Sequence, residues 1–174
     1  ELVRTLKTEQ VAHVEKRYHK SDEDFRADFM QATPAERLEA SIKRTFSRAE
    51  TLYGQLDDAQ RAIIARTMAG SPFDSQRWLA ERQARQREIV QTLRGLVADR
   101  ADSARTQAAL RVFAAHASVS PRPDYRDHNR KLTTYNCDFA AQLHNSTTPE
   151  QRRRAAEKLK GWEDDLRALA APRP

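Results

Sequence analysis

The stretch ATPAERLEASIKRTFSRAETLYGQLDDAQRAIIARTMAG, residues 32–70, contains two complete helix signals with a glycine between them. Thr33 is a good N-cap, and Pro34 suits the first helical turn because that position needs no amide donor. Glu36 stands where it can close a capping box. Apolar residues then recur at three- and four-residue steps as far as Gly54, a residue type that commonly ends helices. The stretch therefore predicts an amphipathic helix followed by a stop.

A second helix is predicted directly after that glycine. Asp57 can cap it, Gln60 stands in the position that closes the capping box, and Gly70 with Pro72 supplies the stop. Because the link between the two helices is short, we expect them to be spatial neighbours in a helical hairpin. The fold class that follows is all-α.

The same patterns along the whole chain predict a bundle of about seven amphipathic helices in a helical-hairpin arrangement. A polar run at 20–24 leaves open a local break in the first helix. The apolar stripe of each helix is expected to face a neighbouring helix. The stripes of the second, third and sixth helices include Phe46, Ala49, Ile64, Met68, Tyr135, Phe139 and Leu143. The predicted bounds are about 8–29, 34–53, 58–69, 75–100, 103–116, 124–143 and 148–170.

The two tryptophans lie on predicted apolar stripes, so both Trp78 and Trp162 are predicted to pack in the core. An exposed tryptophan would instead indicate a groove for a partner. Phe73, in a loop between two polar or turn-forming residues, is predicted to be the more exposed aromatic. The stripe of the last helix consists of Ala155, Leu159, Trp162, Leu166 and Leu169.

Length and composition exclude several classes of protein. With 174 residues the chain is predicted to form one helical domain over 1–174. No stretch reaches the roughly 20 apolar residues that a membrane-spanning helix needs. The net charge of +6 is spread over interleaved acids and bases. Because nucleic-acid-binding proteins usually concentrate positive charge on one face, no nucleic-acid partner is predicted.

No pattern of a catalytic site is found, so the protein is predicted not to be an enzyme. The four glycines are too far apart for a phosphate loop, and neither a nucleophile elbow nor a His-Glu-x-x-His run is present. The five histidines lack the i,i+4 spacing of many helical metal sites. We therefore predict no catalytic, cofactor-binding or metal-binding residues and no cofactor.

Two further features have both a structural and a functional interpretation. Cys137 is the single cysteine, which excludes an internal disulfide, and it is predicted to be a half-buried structural residue rather than a reactive thiol. Arg152–Arg154 occupy the first turn of the last helix, where the helix dipole disfavours cations. Compensation by neighbouring acids is the simpler explanation, and a small anion-binding or partner-binding patch is the alternative.

Four helix starts share one sequence pattern, made of an apolar or neutral residue, a cap, a first turn and a capping-box residue. This pattern resembles the Leu-Thr-x-x-Gln motif of small periplasmic stress chaperones of the Spy and CpxP type, which are helical cradles that bind unfolded or regulatory proteins. In the first copy Lys7 stands where the motif has threonine. The copies are LKTEQ at 6–10, ATPAE at 32–36, LDDAQ at 56–60 and TTPEQ at 147–151.

A longer resemblance, in order along most of the chain, is carried by residues 41–69, 77–83, 125–131 and 143–171. These segments look like an uncharacterised proteobacterial lipoprotein family, a domain of unknown function. The resemblance implies a helical domain on the periplasmic side of the envelope, tethered through a lipidated cysteine upstream, of which this chain would be the C-terminal part. It defines no catalytic residues.

Three functions are compatible with the sequence. The first is a non-enzymatic envelope protein that binds another protein, in a chaperone-like or regulatory role. The second is a scaffold that acts by self-assembly, and the third, motivated only by the excess of basic residues, is nucleic-acid binding. An exposed apolar groove would favour the first, whereas a uniformly mixed charged surface would favour the second. The sequence assigns no residues to partner binding.

Overall fold

The computed structural model describes residues 5–171, and over this range the chain is all-α, as the sequence predicts. The first helix has no break at the polar run, and the bounds agree with the predicted ones to within two residues. The described part contains seven helices and no strand: α1 Thr8–Phe29, α2 Pro34–Tyr53, α3 Asp58–Ala69, α4 Ser75–Ala98, α5 Ser103–Ser118, α6 Pro123–Asn145 and α7 Pro149–Ala170.

The described residues form two compact units. The first unit contains 5–32 and 73–131, and the second contains 33–72 and 132–171, so the boundary falls within α6. In the first unit α4 packs against α1 and α5, whereas in the second α2 packs against α3 and α7. The expectation that the whole chain acts as one domain stays a prediction.

The core of the second unit is built from the stripes that the sequence indicates. Ile64 of α3 is fully buried, and it packs in one cluster with residues of α2, α6 and the link between α2 and α3. Half-buried aromatic residues and a methionine surround this cluster. The buried members are Ala49, Leu56, Ile64 and Leu143, and the surrounding ones are Phe46, Tyr53, Met68 and Phe139.

Aromatic stacking joins α1 to α4 in the first unit. The ring of Phe25 stacks on Trp78 at a centroid distance of 4.4 Å and on Phe29 at 4.6 Å. Phe73 meets Phe29 edge-on at 6.0 Å and is 38% exposed. Trp78 therefore packs against α1 as predicted, in a half-buried position. Phe73 is exposed as predicted, although Trp162, at 44%, is exposed more.

A buried carboxylate reinforces the same contact between α1 and α4. Asp22 of α1 is only 3% exposed. Its oxygens accept hydrogen bonds from Arg82 Nε at 3.1 Å, Gln83 Nε2 at 3.0 Å and Gln86 Nε2 at 2.9 Å. These donors from α4 replace the water that Asp22 loses on burial, which is the condition for keeping a charge inside a protein.

A second buried carboxylate, Glu81 of α4, binds the loop before α6. Arg85 Nε donates to it at 2.8 Å, and Arg122 Nη1 lies 3.1 and 3.2 Å from its two oxygens. Burial raises the pKa of Glu81, but hydrogen bonds from Ser120 and Arg85 and the charges of Arg122 and Arg85 lower it more. The net pKa of Glu81 therefore lies below its ordinary value.

We expect Glu81 to make the stability of the protein pH-dependent in acid. Because its folded pKa lies below the ordinary value of 4.5, its stabilising contribution is complete above that value and is lost as pH falls through the folded pKa. Urea unfolding followed by circular dichroism at pH 7 and pH 3 should show a smaller loss of stability for Glu81→Gln than for the wild type. Glu39→Gln, at an exposed position, should behave like the wild type. An unchanged pH dependence in Glu81→Gln would contradict the expectation.

The glycine that ends α2 has a conformation that other residues rarely adopt. Gly54 is buried and has φ +81°. An added Cβ would also lie 3.1 Å from Arg154 Cδ, whereas at Gly161, inside α7, it would meet nothing within 4 Å. The same substitution should therefore have opposite effects at the two positions.

Gly54→Ala should lower the free energy of unfolding by about 1–3 kcal/mol, since it combines backbone strain with a close contact. Gly161→Ala should raise it by about 0.5–1 kcal/mol, because alanine loses less conformational entropy than glycine in a helix. Urea denaturation of both variants measures the difference. Equal effects at the two positions would show that the positive φ of Gly54 is not required.

Candidate protein-docking surface

The first turn of α7 is fixed by a capping box that is joined to a second one. Thr148 Oγ1 accepts from the backbone N–H of Gln151 at 3.2 Å, and Gln151 Oε1 accepts from the Thr148 N–H at 2.9 Å. Asp57 and Gln60 form the same box at the start of α3, at 2.8 and 3.1 Å. The two glutamine amides also bind each other, with Nε2···Oε1 distances of 2.8 and 3.0 Å.

The remaining amide hydrogens complete a near-symmetrical arrangement. Gln60 Nε2 donates to the carbonyl of Ser146 at 3.1 Å, and Gln151 Nε2 donates to that of Gln55 at 2.8 Å. Each carbonyl belongs to the residue two positions before a helix cap. Gln60 is 0% exposed, yet its amide makes two donor and two acceptor contacts, so its burial leaves no hydrogen bond unmade.

The repeated sequence pattern predicts a capping box at each helix start, and the reciprocal hydrogen bonds are present in α2, α3 and α7. In the first copy Lys7 makes no side-chain cap bond, because an ammonium group cannot accept, while its N–H still binds Gln10 Oε1 at 2.8 Å. The pairing of Gln60 with Gln151 was not predicted from the sequence. Three copies of the pattern have glutamine at this position, Gln10, Gln60 and Gln151, so the pattern alone does not indicate which of them pair.

Beyond the first turn, which the Gln60–Gln151 amide pair holds in place, the apolar face of α7 is uncovered. Ala155 is buried, but Leu159 is 52%, Trp162 44%, Leu166 66% and Leu169 81% exposed. Every residue from 156 to 171 is exposed. The prediction that this stripe, including Trp162, packs in the core is therefore wrong after Ala155. Periodicity specifies which side of a helix is apolar but not whether another element covers it.

Local charge pairs support α7 where it lacks tertiary packing. Glu163 binds Arg167 with Nη2···Oε1 at 2.6 Å, and Lys160 binds Asp164 at 2.6 Å, both with i,i+4 spacing. Lys158 Nζ lies 5.8 Å from the ring centroid of Trp162. The exposed half of α7 is thus a helix whose stability owes much to its own side chains, with an apolar face left free.

The other exposed apolar side chains in the described range do not form a comparable surface. Leu110 and Val112 are two residues apart on α5, so they point in different directions, and Val119 ends that helix. The four apolar residues of α7 instead follow one another along a single helix face. We name this face, formed by Leu159, Trp162, Leu166 and Leu169, the α7 apolar face.

The arginine run at the start of α7 does not form a concentrated positive site. Arg153 and Arg154 line a cleft of about 810 Å³ in the second unit, but Asp57, Glu150 and Glu157 line it as well. Arg154 lies against Gly54. The mixed charge of the cleft favours a structural role for these arginines over anion binding.

The remaining chemically notable residues are dispersed. Cys137 is exposed on α6, not half-buried as predicted, because it lies two residues from each of the half-buried Tyr135 and Phe139 and therefore on the opposite side of the helix. Over residues 5–171 no three His, Cys, Asp or Glu side chains are grouped so that they could hold a metal ion. In the same range every helix is too short or too polar to cross a membrane.

Comparison with known proteins finds no matching family model, curated protein or solved structure. The resemblances to the envelope lipoprotein family and to the Leu-Thr-x-x-Gln chaperones therefore stay predictions. They rest on the sequence segments quoted above.

Removing one member of the amide pair should destabilise the second unit far more than removing an isolated capping-box glutamine. Gln151→Ala leaves the buried amide of Gln60 without its partner and should cost about 2–3 kcal/mol of unfolding free energy. Gln10→Ala removes the same type of cap bond from an exposed position and should cost about 0.5 kcal/mol. Urea denaturation compares the two variants, and similar losses would show that the amide pair contributes little beyond capping.

Proposed function

We propose that this chain is a non-enzymatic protein-binding domain that docks its partner on the α7 apolar face. The observation that carries the proposal is the exposure of Leu159, Trp162, Leu166 and Leu169 on one side of a single helix. Contiguous exposed apolar surface is typical of interaction sites, and tryptophan is enriched among the residues that dominate binding energy.

The way in which α7 is held suits this role. Its first turn is fixed by the Gln60–Gln151 amide pair, and Ala155 is buried in the second unit. The exposed part is already helical, so little conformational entropy is lost when a partner binds it. Such a helix can place its apolar residues in a partner's groove or hold apolar segments of an unfolding chain.

The two sequence resemblances support a more specific proposal. We place the protein on the periplasmic side of the bacterial envelope, lipid-anchored through a segment upstream of this chain. Its clients in that compartment are unfolded or regulatory proteins. The mixture of acidic and basic side chains, as in the cleft beside Arg153 and Glu150, supports a protein partner over a nucleic acid.

The proposal is tested by measuring how the protein affects the aggregation of an unrelated client that is diluted from denaturant. Light scattering should rise more slowly with the wild type, and Leu166→Lys should lose most of this protection. Ala168→Lys is the matched control, since it adds the same charge to the outer side of the same turn. A cation near the C-terminal end of α7 interacts favourably with the helix dipole, so neither variant should lose helicity.

Circular dichroism confirms that both variants remain folded. Equal protection by Leu166→Lys and the wild type would show that the α7 apolar face is not the docking surface. A wild-type protein that leaves the aggregation rate unchanged would contradict the chaperone-like role itself.

A further inference from the structure

We infer that, when no client is bound, the α7 apolar face is occupied by a second copy of this chain, and that the two α7 helices form a short parallel coiled coil over residues 159–169. The inference rests on the proposed function because it uses the same face, and it names what covers that face in the absence of a client. The spacing of the apolar residues and the charges beside them support it.

The spacing of the apolar residues is that of a coiled coil. Ala155, Leu159, Trp162, Leu166 and Leu169 are separated by four, three, four and three residues, the a/d alternation of a heptad repeat. A helix that packs on a globular core usually has a wider stripe, with further apolar residues at e or g. In α7 the positions that flank the stripe carry Ala156, Lys158, Glu163, Asp165 and Ala170.

The charges beside the stripe suit two identical parallel helices. With Leu159 and Leu166 at a, Lys158 is at g and Glu163 is at the next e. In a parallel dimer the g residue of one helix faces the e residue of the other, five positions along. Each Lys158 would therefore face Glu163 of the second copy, twice by symmetry, and Asp165 would face the neutral Ala170.

Antiparallel registers fit less well. Pairing Leu159 with Trp162 of the second copy would bring Leu166 opposite Ala155, whose surface is already buried in the second unit. Shifting by one heptad would place Asp165 against Asp165 and Glu163 against Glu163, which is repulsive. The parallel register uses only the uncovered part of α7 and stacks all four exposed residues on their equivalents.

Sedimentation equilibrium over a range of protein concentrations tests the self-association. The wild type should pass from monomer to dimer, Leu166→Lys should stay monomeric, and Ala168→Lys should behave like the wild type. Lys158→Glu should weaken dimerisation by about tenfold, because two attractive pairs become repulsive. The reversed pair, Lys158→Glu with Glu163→Lys, should restore part of the affinity, an effect expected only if the partner carries the same two residues. Circular dichroism of this variant checks its helicity, since Glu163→Lys also removes the pair with Arg167.

Disulfide cross-linking tests the direction of the two helices. In a Cys137→Ser background, Leu166→Cys should form a covalent dimer under mild oxidation, since the parallel register brings the two a positions together. Ala168→Cys, at an outer c position, should cross-link much more slowly. A dimer that is disrupted by Leu166→Lys but not cross-linked through Leu166→Cys would overturn the parallel arrangement.

The outcomes separate this inference from the proposed function. A strict monomer at all concentrations, with client protection still lost in Leu166→Lys, would overturn the second copy as partner and leave the docking surface standing. A dimer that Leu166→Lys does not affect would place self-association elsewhere and overturn the inference. Loss of both dimerisation and protection in Leu166→Lys would support both.

Discussion

The reciprocal amide pair between Gln60 and Gln151 connects the starts of α3 and α7, and the second unit depends on it. Each amide closes its own helix cap, binds the other amide and donates to a backbone carbonyl before the opposite cap. Because every hydrogen-bonding position of the buried Gln60 is used, the contact specifies a single relative placement of the two helix starts. A shift of either helix by one residue would leave a buried amide unsatisfied.

The amide pair explains how α7 can be held in one position and still have an exposed apolar face. The helix is held at its first turn and at Ala155, whereas its own charge pairs support the part beyond. The apolar face is therefore presented on a preformed helix and not on a mobile tail. A domain that binds proteins gains from such an arrangement, because little conformational entropy is lost on docking.

In the first unit α1 and α4 are joined by both apolar and polar contacts. Phe25 stacks on Trp78, and the buried Asp22 accepts hydrogen bonds from α4. The buried Glu81 instead joins α4 to the loop before α6 through Arg122. Buried carboxylates with their hydrogen bonds satisfied favour one packing over its alternatives, since any displacement exposes an unpaired charge to a medium of low polarity.

The sequence by itself determined the helices of this protein, because caps, first-turn prolines and terminal glycines act through neighbours in the chain. It also specified the core of the second unit, where Ile64 and Leu143 lie on the predicted stripes. Only the tertiary structure decided that the stripe of α7 is uncovered, that Glu81 is buried and that Gln60 meets Gln151. These facts depend on residues 41 to 91 positions apart, and periodicity contains no information on which helix covers which face.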